Sequence, residues 1–382
     1  STAVWSTTAD GLGVPHAVPT STNAVKASSS IASSATLTVD ATASCLSMDW
    51  TGATNTPTLT GGDTNVFVSG NVTLIAGMVH SGGRLIFTDS GSRTFTSNAL
   101  TVYKFGSTSG FTGDLTLVGN VTGTAIVWAT GELKTNDKTI ILSGGFGDNA
   151  ASTSKTLTLG SSTVTCGAWS FAQTGLTVSA NTATINVSGT GAGAFGNNNY
   201  NGASFNFNGT AHTLSGSPTG IATLALPPAT TQTITVTAGN RITATTATLS
   251  GDATHQHTIK SGTAGTLASI WATNKTDAYV TYTDMLRNYN GVIVANCAGA
   301  GGGTFAGAGG TFTSLTLEGA GNYPLTITGN NVFTTFTVDR SVANKSIITT
   351  GTTQQFANVV MTNSSTRTVS ITGGTWNKTG GG

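Results

Sequence analysis

The sequence predicts an all-β protein, a parallel β-helix (β-solenoid) forming an elongated rod of short strands joined by Gly/Asn turns. Three observations predict it: apolar residues alternate with period two along most of the chain, Gly or Asn punctuates them at short intervals, and charged helix formers are scarce. Of 382 residues 51 are Gly and 8% are charged, with only two Glu, Glu132 and Glu318. A disordered chain combines low hydrophobicity with high net charge. Here the formal net charge is +1 and Val, Ile, Leu and Phe recur throughout, so the chain folds. Thr, Val and Ile favour pleated strands, while Gly and Asn tolerate the positive φ of tight turns.

The strands are read in order from that alternation. Val72 and Leu74 lie in Gly-Asn-Val-Thr-Leu, Leu115 and Leu117 in Gly-Asp-Leu-Thr-Leu-Val, and Leu157 and Leu159 in Lys-Thr-Leu-Thr-Leu-Gly. The pattern continues through Val164, Leu176, Val178, Ile185, Val187, Ile234, Val236, Leu315, Leu317, Leu325, Ile327, Phe336, Val338, Val369 and Ile371. Strand centres about 8–12 residues apart suit a sandwich or a solenoid. A sandwich closes at about 100 residues and a second one needs a linker, yet no Pro-rich or charged linker interrupts this chain. A solenoid needs none, because each coil bonds only to its neighbours. Coils of roughly 20–25 residues stacked about 4.8 Å apart would make a rod of order 75–90 Å. The Gly-rich stretches 189–202 and 298–310 are expected as outward turns.

Residues 1–34 are expected to form an N-terminal cap or attachment arm, since Pro15 and Pro19 each remove a ladder donor. Residues 35–382 are expected to form the solenoid, with an aromatic-rich irregular segment at 268–294. No charged and apolar leader precedes the fold, so an uncleaved signal peptide is not expected. Gly380-Gly381-Gly382 would leave a coil edge open, so further chain or another subunit is expected there.

Composition also excludes function classes. Phosphate binding needs clustered Lys and Arg, and the 15 basic residues are scattered singly, so no nucleic-acid partner is expected. No run approaches the roughly 20 apolar residues of a membrane helix, so no membrane insertion by a helix is expected, although a strand-built barrel is not addressed by that test. Cys45, Cys166 and Cys297 are widely spaced, without a C-x-x-C, and read as small buried hydrophobes.

Candidate chemistry is sparse, and no catalytic residue and no cofactor is assigned. Acid/base cleavage of a polysaccharide needs paired carboxylates about 5–10 Å apart. Asp277 and Asp284 are the nearest suggestive pair; both also suit turn caps. His255-Gln256-His257 is the one tight histidine pair: at i, i+2 on a strand both rings leave the same face, which suits a transition metal completed by other chains. A solvated strand face is the plainer reading. Trp271, Tyr279, Tyr282 and Tyr289 offer flat rings with polar rims that match glycans, and equally suit strand packing. The tract Asn197-Asn198-Asn199-Tyr200-Asn201 is either a glycan-facing loop or a turn with an Asn ladder. The N-x-S/T matches at Asn71, Asn120, Asn186 and Asn208 fit turn-strand junctions, with glycosylation only in a pathway that installs it.

Leu-Thr-Val-Asp-Ala-Thr-Ala-Ser-Cys (37–45), Thr-Leu-Thr-Leu-Gly-Ser-Ser-Thr-Val-Thr-Cys (156–166) and Leu-Thr-Leu-Glu-Gly (315–319) resemble the Thr/Gly-rich β-solenoid repeats of bacteriophage fibre and virion structural proteins. Similar repeats occur in bacterial surface adhesins. The resemblance covers about residues 35–375 and is one of repeat style, with no motif to carry individual residues across. It implies a structural fibre on a virion surface or outside a cell, a homo-oligomer (trimer or filament), and attachment to a host surface glycan. Some related spikes cut surface polysaccharide.

Overall fold

A computed structural model describes residues 5–6, 15–16, 19–27, 29, 31, 34–148, 154–264, 266–296, 303–306, 309–318, 324–339, 345–349, 351–362 and 368–378. The regular elements among them are all strands, and parallel stacking makes a β-solenoid of about 14 turns. The chain divides into two compact units, Ser1–Gly189 with Phe195–Phe205, and Thr190–Ala194 with Asn206–Gly382.

In the first unit one ladder runs through Ala24–Lys26, Ser47–Asp49, Val72–Thr73, Ser92–Thr96, Asp114–Leu117, Gly131–Lys134, Lys155–Gly160 and Leu176–Ala180, all parallel. A second face starts with Ala43–Cys45, Asn65–Val68, Arg84–Phe87, Thr101–Ser107 and Val121–Val127. Register places like on like: Leu115, Leu133, Leu157 and Val178 form one inward row, none more than 3% exposed. With rungs about 4.8 Å apart, each aliphatic side chain is covered by those above and below it. Such burial contributes about 1.5–3 kcal/mol per side chain.

The period-two reading located this core well. Every aliphatic residue singled out above is buried except Val369, which is partly buried, and Ile371, which is 44% exposed. Cys45 and Cys166 are buried free thiols, and burial pushes them up to about 11 and about 12. Cys297 lies outside the described residues, as do most of 298–310. At turn-strand junctions asparagines tie one coil to the next: Asn71 and Asn120 each accept the backbone N–H of Thr94 and Thr139, at 3.0 Å.

The ladder reaches back to Ala24, within residues 1–34. Among the described residues before it, Trp5–Ser6 and Pro15–His16 pair with each other, antiparallel. One expectation is corrected: the stretch 189–202 is not an outward turn. Gly191–Ala194 is a ladder strand of the second unit, in register with Ala211–Ser215. Phe195, Asn198 and Tyr200 are buried in the first unit, where Phe195, Tyr200, Phe205 and Trp169 meet at ring distances of 4.9–6.1 Å. Asn198 resolves its own ambiguity: its amide donates to the carbonyls of Phe195 and Gln173 at 2.7 and 3.1 Å, which satisfies a buried polar group that would otherwise be costly.

In the second unit the faces run through Ala211–Ser215, Thr233–Val236, His257–Ser261 and Val280–Thr283, and through Ile221–Ala225, Arg241–Thr248, Ala268–Thr276 and Met285–Tyr289. There the parallel order breaks. Met285–Tyr289 pairs with Val292–Asn296 antiparallel, through Asn290-Gly291 at φ +51° and +81°, the left-handed pair that a two-residue hairpin turn requires. Parallel stacking resumes with Thr311–Glu318, Val332–Asp339, Thr353–Thr362 and Thr375–Lys378. The segment 268–294 is therefore regular in its strands and irregular in its topology.

The inward face changes at the same point. Ala268, Ile270 and Ala272 are buried and align with Met285, Arg287 and Tyr289. Beyond the turn the buried residues are Ile293 and Ala295, aligned with Asn288 and Leu286 on the opposite face, and they continue as the rows Leu315–Phe336 and Leu317–Val338. Strand direction and inward face reverse together, which is a half-turn about the stacking direction. The coil therefore keeps its winding sense while its core passes to the other side of the sheet.

Candidate functional site

A chain with 8% charged residues has few places where ionic chemistry concentrates, and two stand out. The first lies at the reversal just described. Arg287 occupies a core-facing position, aligned with Ile270, and must be neutralised there. It pairs with Glu318 and lies 3.8 Å from Asp277 Oδ2, and its guanidinium stacks 3.9 Å from the Tyr282 ring centre. The Tyr282 hydroxyl donates to Asp277 Oδ2 at 3.1 Å and lies 3.4 Å from the Tyr289 hydroxyl. Lys275 reaches Asp277 at 3.0 Å and covers the Tyr289 ring at 4.7 Å. Burial pushes Tyr289 up to about 12 and Tyr282 higher still, so both phenols stay neutral. The cluster covers the end of one core where the next begins on the opposite face.

The four aromatic residues read as a glycan platform do not form one surface. Tyr282 and Tyr289 come together but are buried in the ionic cluster. Trp271 lies on the other face of its strand, half-buried under the Arg241 guanidinium at 4.4 Å. Tyr279 is 53% exposed at a turn, with φ +56°. Asp277 is engaged as above, and Asp284 is buried at a corner with φ +52°, so they make no open carboxylate pair.

The histidine pair is also separated. The strand begins at His257, and His255 sits before it in a turn capped by Asp252, whose carboxylate accepts the His255 backbone N–H at 2.7 Å and meets its Nδ1 at 3.0 Å. His257 points into the core, where burial lowers its basicity. The same-face premise held only for a strand spanning both residues. Among the described residues no three His, Cys, Asp or Glu side chains converge as a metal site would need.

The second ionic place was not legible in the sequence. Asp114 and Glu132 are register partners on adjacent coils, and Lys134 bridges them, with Nζ 3.2 Å from Asp114 Oδ2 and 3.6 Å from Glu132 Oε2. Ser92 donates to Asp114 at 2.5 Å and Thr158 to Glu132 at 2.6 Å. The Ser92 bond, with Lys134, holds the Asp114 carboxyl below its ordinary range, and Asp114 in turn raises Lys134. The carboxylates line a groove of about 570 Å³ together with Ser109, Thr112, Lys155 and Thr156. Behind it Lys155 and Asp148 form a buried pair at 3.1 Å. Only a spacing rule tied to coil length would have joined residues 114 and 132.

Fold and site together define a β-solenoid repeat protein with two local concentrations of charge. No protein-family model, curated protein or solved structure matches the chain.

Proposed function

We propose that the chain is a non-enzymatic structural fibre of a phage virion, a tail fibre or appendage that acts as a spacer and in attachment to a host surface, as a trimer or filament. The observation that carries this reading is the row-on-row stacking, such as Leu115–Leu133–Leu157–Val178 in the first unit. Each added coil extends such a structure by one rung without a new kind of contact. Its outward rows are mostly Thr, Ser and Asn, suited to an exterior surface of low charge. A bacterial extracellular adhesin or filament subunit uses the same physics, and a polysaccharide-cleaving spike adds chemistry to it.

Immunogold microscopy with antibody against this chain, on the source culture, tests the proposal. Label on virion appendages is the expected result; label on cell-surface filaments with no virions present overturns it in favour of the adhesin. A cleavable secretion signal at the gene start would point the same way.

A further inference from the structure

The geometry points to the groove over Asp114 and Glu132 as a binding site for an uncharged, hydroxyl-rich saccharide chain. Four features of the first unit support this.

The floor of the groove is close-packed backbone. Gly113 and Gly131 line it on successive coils; a Cβ on Gly113 would collide with the Gly91 carbonyl of the coil before, and one on Gly131 with buried Phe111 and the Gly113 carbonyl. Gly131 also has φ +74°, which disfavours any side chain there. The groove's volume, about 570 Å³, falls in the range of ligand clefts, about 300–1,000 Å³.

The polar atoms are preoriented. Lys134 and the hydroxyls of Ser92 and Thr158 fix both carboxylates from the side, and each carboxylate keeps acceptor capacity, since it offers about four lone-pair sites. A ligand must therefore bring donors, as a sugar hydroxyl does, and sugar oxygens can accept from the Ser109 and Thr112 hydroxyls that line the groove.

Charge selects against other classes. Asp148 neutralises Lys155, which leaves Asp114 and Glu132 against Lys134, a net negative rim. A phosphate- or sulfate-bearing polymer would meet repulsion there.

Spacing matches a repeating ligand. The two carboxylates are one rung apart, about 4.8 Å, close to the length of one pyranose ring, so consecutive rungs present acceptors to consecutive sugar units.

A saccharide groove would serve the attachment role proposed above, and the two tests separate: micrographs locate the fibre, while solution binding judges the groove alone. Calorimetric titration of the full chain uses three uncharged hexasaccharides, of β-linked glucose, β-linked N-acetylglucosamine and α-linked mannose, with a heparin hexasaccharide as the polyanion. The expected result is binding of at least one uncharged probe, at least tenfold weaker in Asp114→Asn/Glu132→Gln at unchanged melting temperature, and none of heparin. Hydrogen exchange on the unmutated chain should show protection of 113–116 and 131–134 by the probe that binds, which holds the inference to account even if the variant misfolds. Silence from all three uncharged probes, undiminished binding by the folded variant, or protection confined elsewhere overturns it.

Discussion

The two ionic clusters use the same residue types for opposite ends. In the first unit, Asp114, Glu132 and Lys134 stand on adjacent parallel coils and face outward into a groove. In the second unit, Arg287, Asp277 and Glu318 are drawn inward, because the antiparallel turn leaves Arg287 on a core-facing row. A buried charge needs partners and an exposed one does not. The difference shows that along an unbroken ladder charge can either face outward, as at Asp114, or be buried as one closed pair, as at Lys155 and Asp148, whereas the topological break draws a whole cluster inward.

The sharpest way to test that contrast is to remove one partner at each buried site. Lys155→Ala strands Asp148, 4% exposed, and should destabilise the first unit by about 3–5 kcal/mol, the usual cost of an orphaned buried charge. Arg287→Ala should cost the second unit less, about 2–3 kcal/mol, because Glu318 is about a third exposed and recovers water. Urea unfolding with hydrogen exchange to localise the loss measures both, and the reverse order would break the comparison. Asp148→Leu/Lys155→Met should recover most of the loss.

Acid should separate the units next. Burial lowers His80 in the first unit and His212 and His257 in the second below the ordinary 6.5. Above pH 6.5 each is neutral folded or unfolded, so nothing changes. As pH falls below 6.5 the unfolded chain binds protons first, so stability drops, by up to about 1.4 kcal/mol per pH unit for each histidine, until the folded histidines protonate. Unfolding followed from pH 7 to 5 should show the second unit losing more than the first. Equal losses would mean that His212 and His257 find partners on protonation.

Smaller effects refine the picture. Gly291→Ala places a side chain at φ +81° and should cost about 1 kcal/mol, seen as faster exchange across Met285–Asn296 and nowhere in the first unit. Asn120→Ala removes the acceptor for the Thr139 N–H and should cost about 0.5–1 kcal/mol, readable as a slight fall in the urea midpoint.

Much of the fold was legible because a solenoid is a local code. Leu157 and Leu159 are buried because they alternate with Thr, and that alternation is written within six residues. The site was less legible. Trp271, Tyr279, Tyr282 and Tyr289 are neighbours in sequence, but strand alternation puts Trp271 on the face opposite Tyr289, Tyr279 stays in an exposed turn, and only Tyr282 and Tyr289 meet. His255 and His257 part for a related reason: the Asp252 cap starts the strand two residues later than their spacing implied.

By itself, then, the amino-acid sequence determined the class of element, the inward residues and the low charge, since period-two patterning and turn chemistry act over a few residues. The tertiary structure alone decided which residues from different coils become neighbours. Asp114 meets Glu132 and Arg287 meets Glu318 only once coil lengths and the reversal of strand direction are set. Those depend on the summed packing of whole coils rather than on any short stretch of chain.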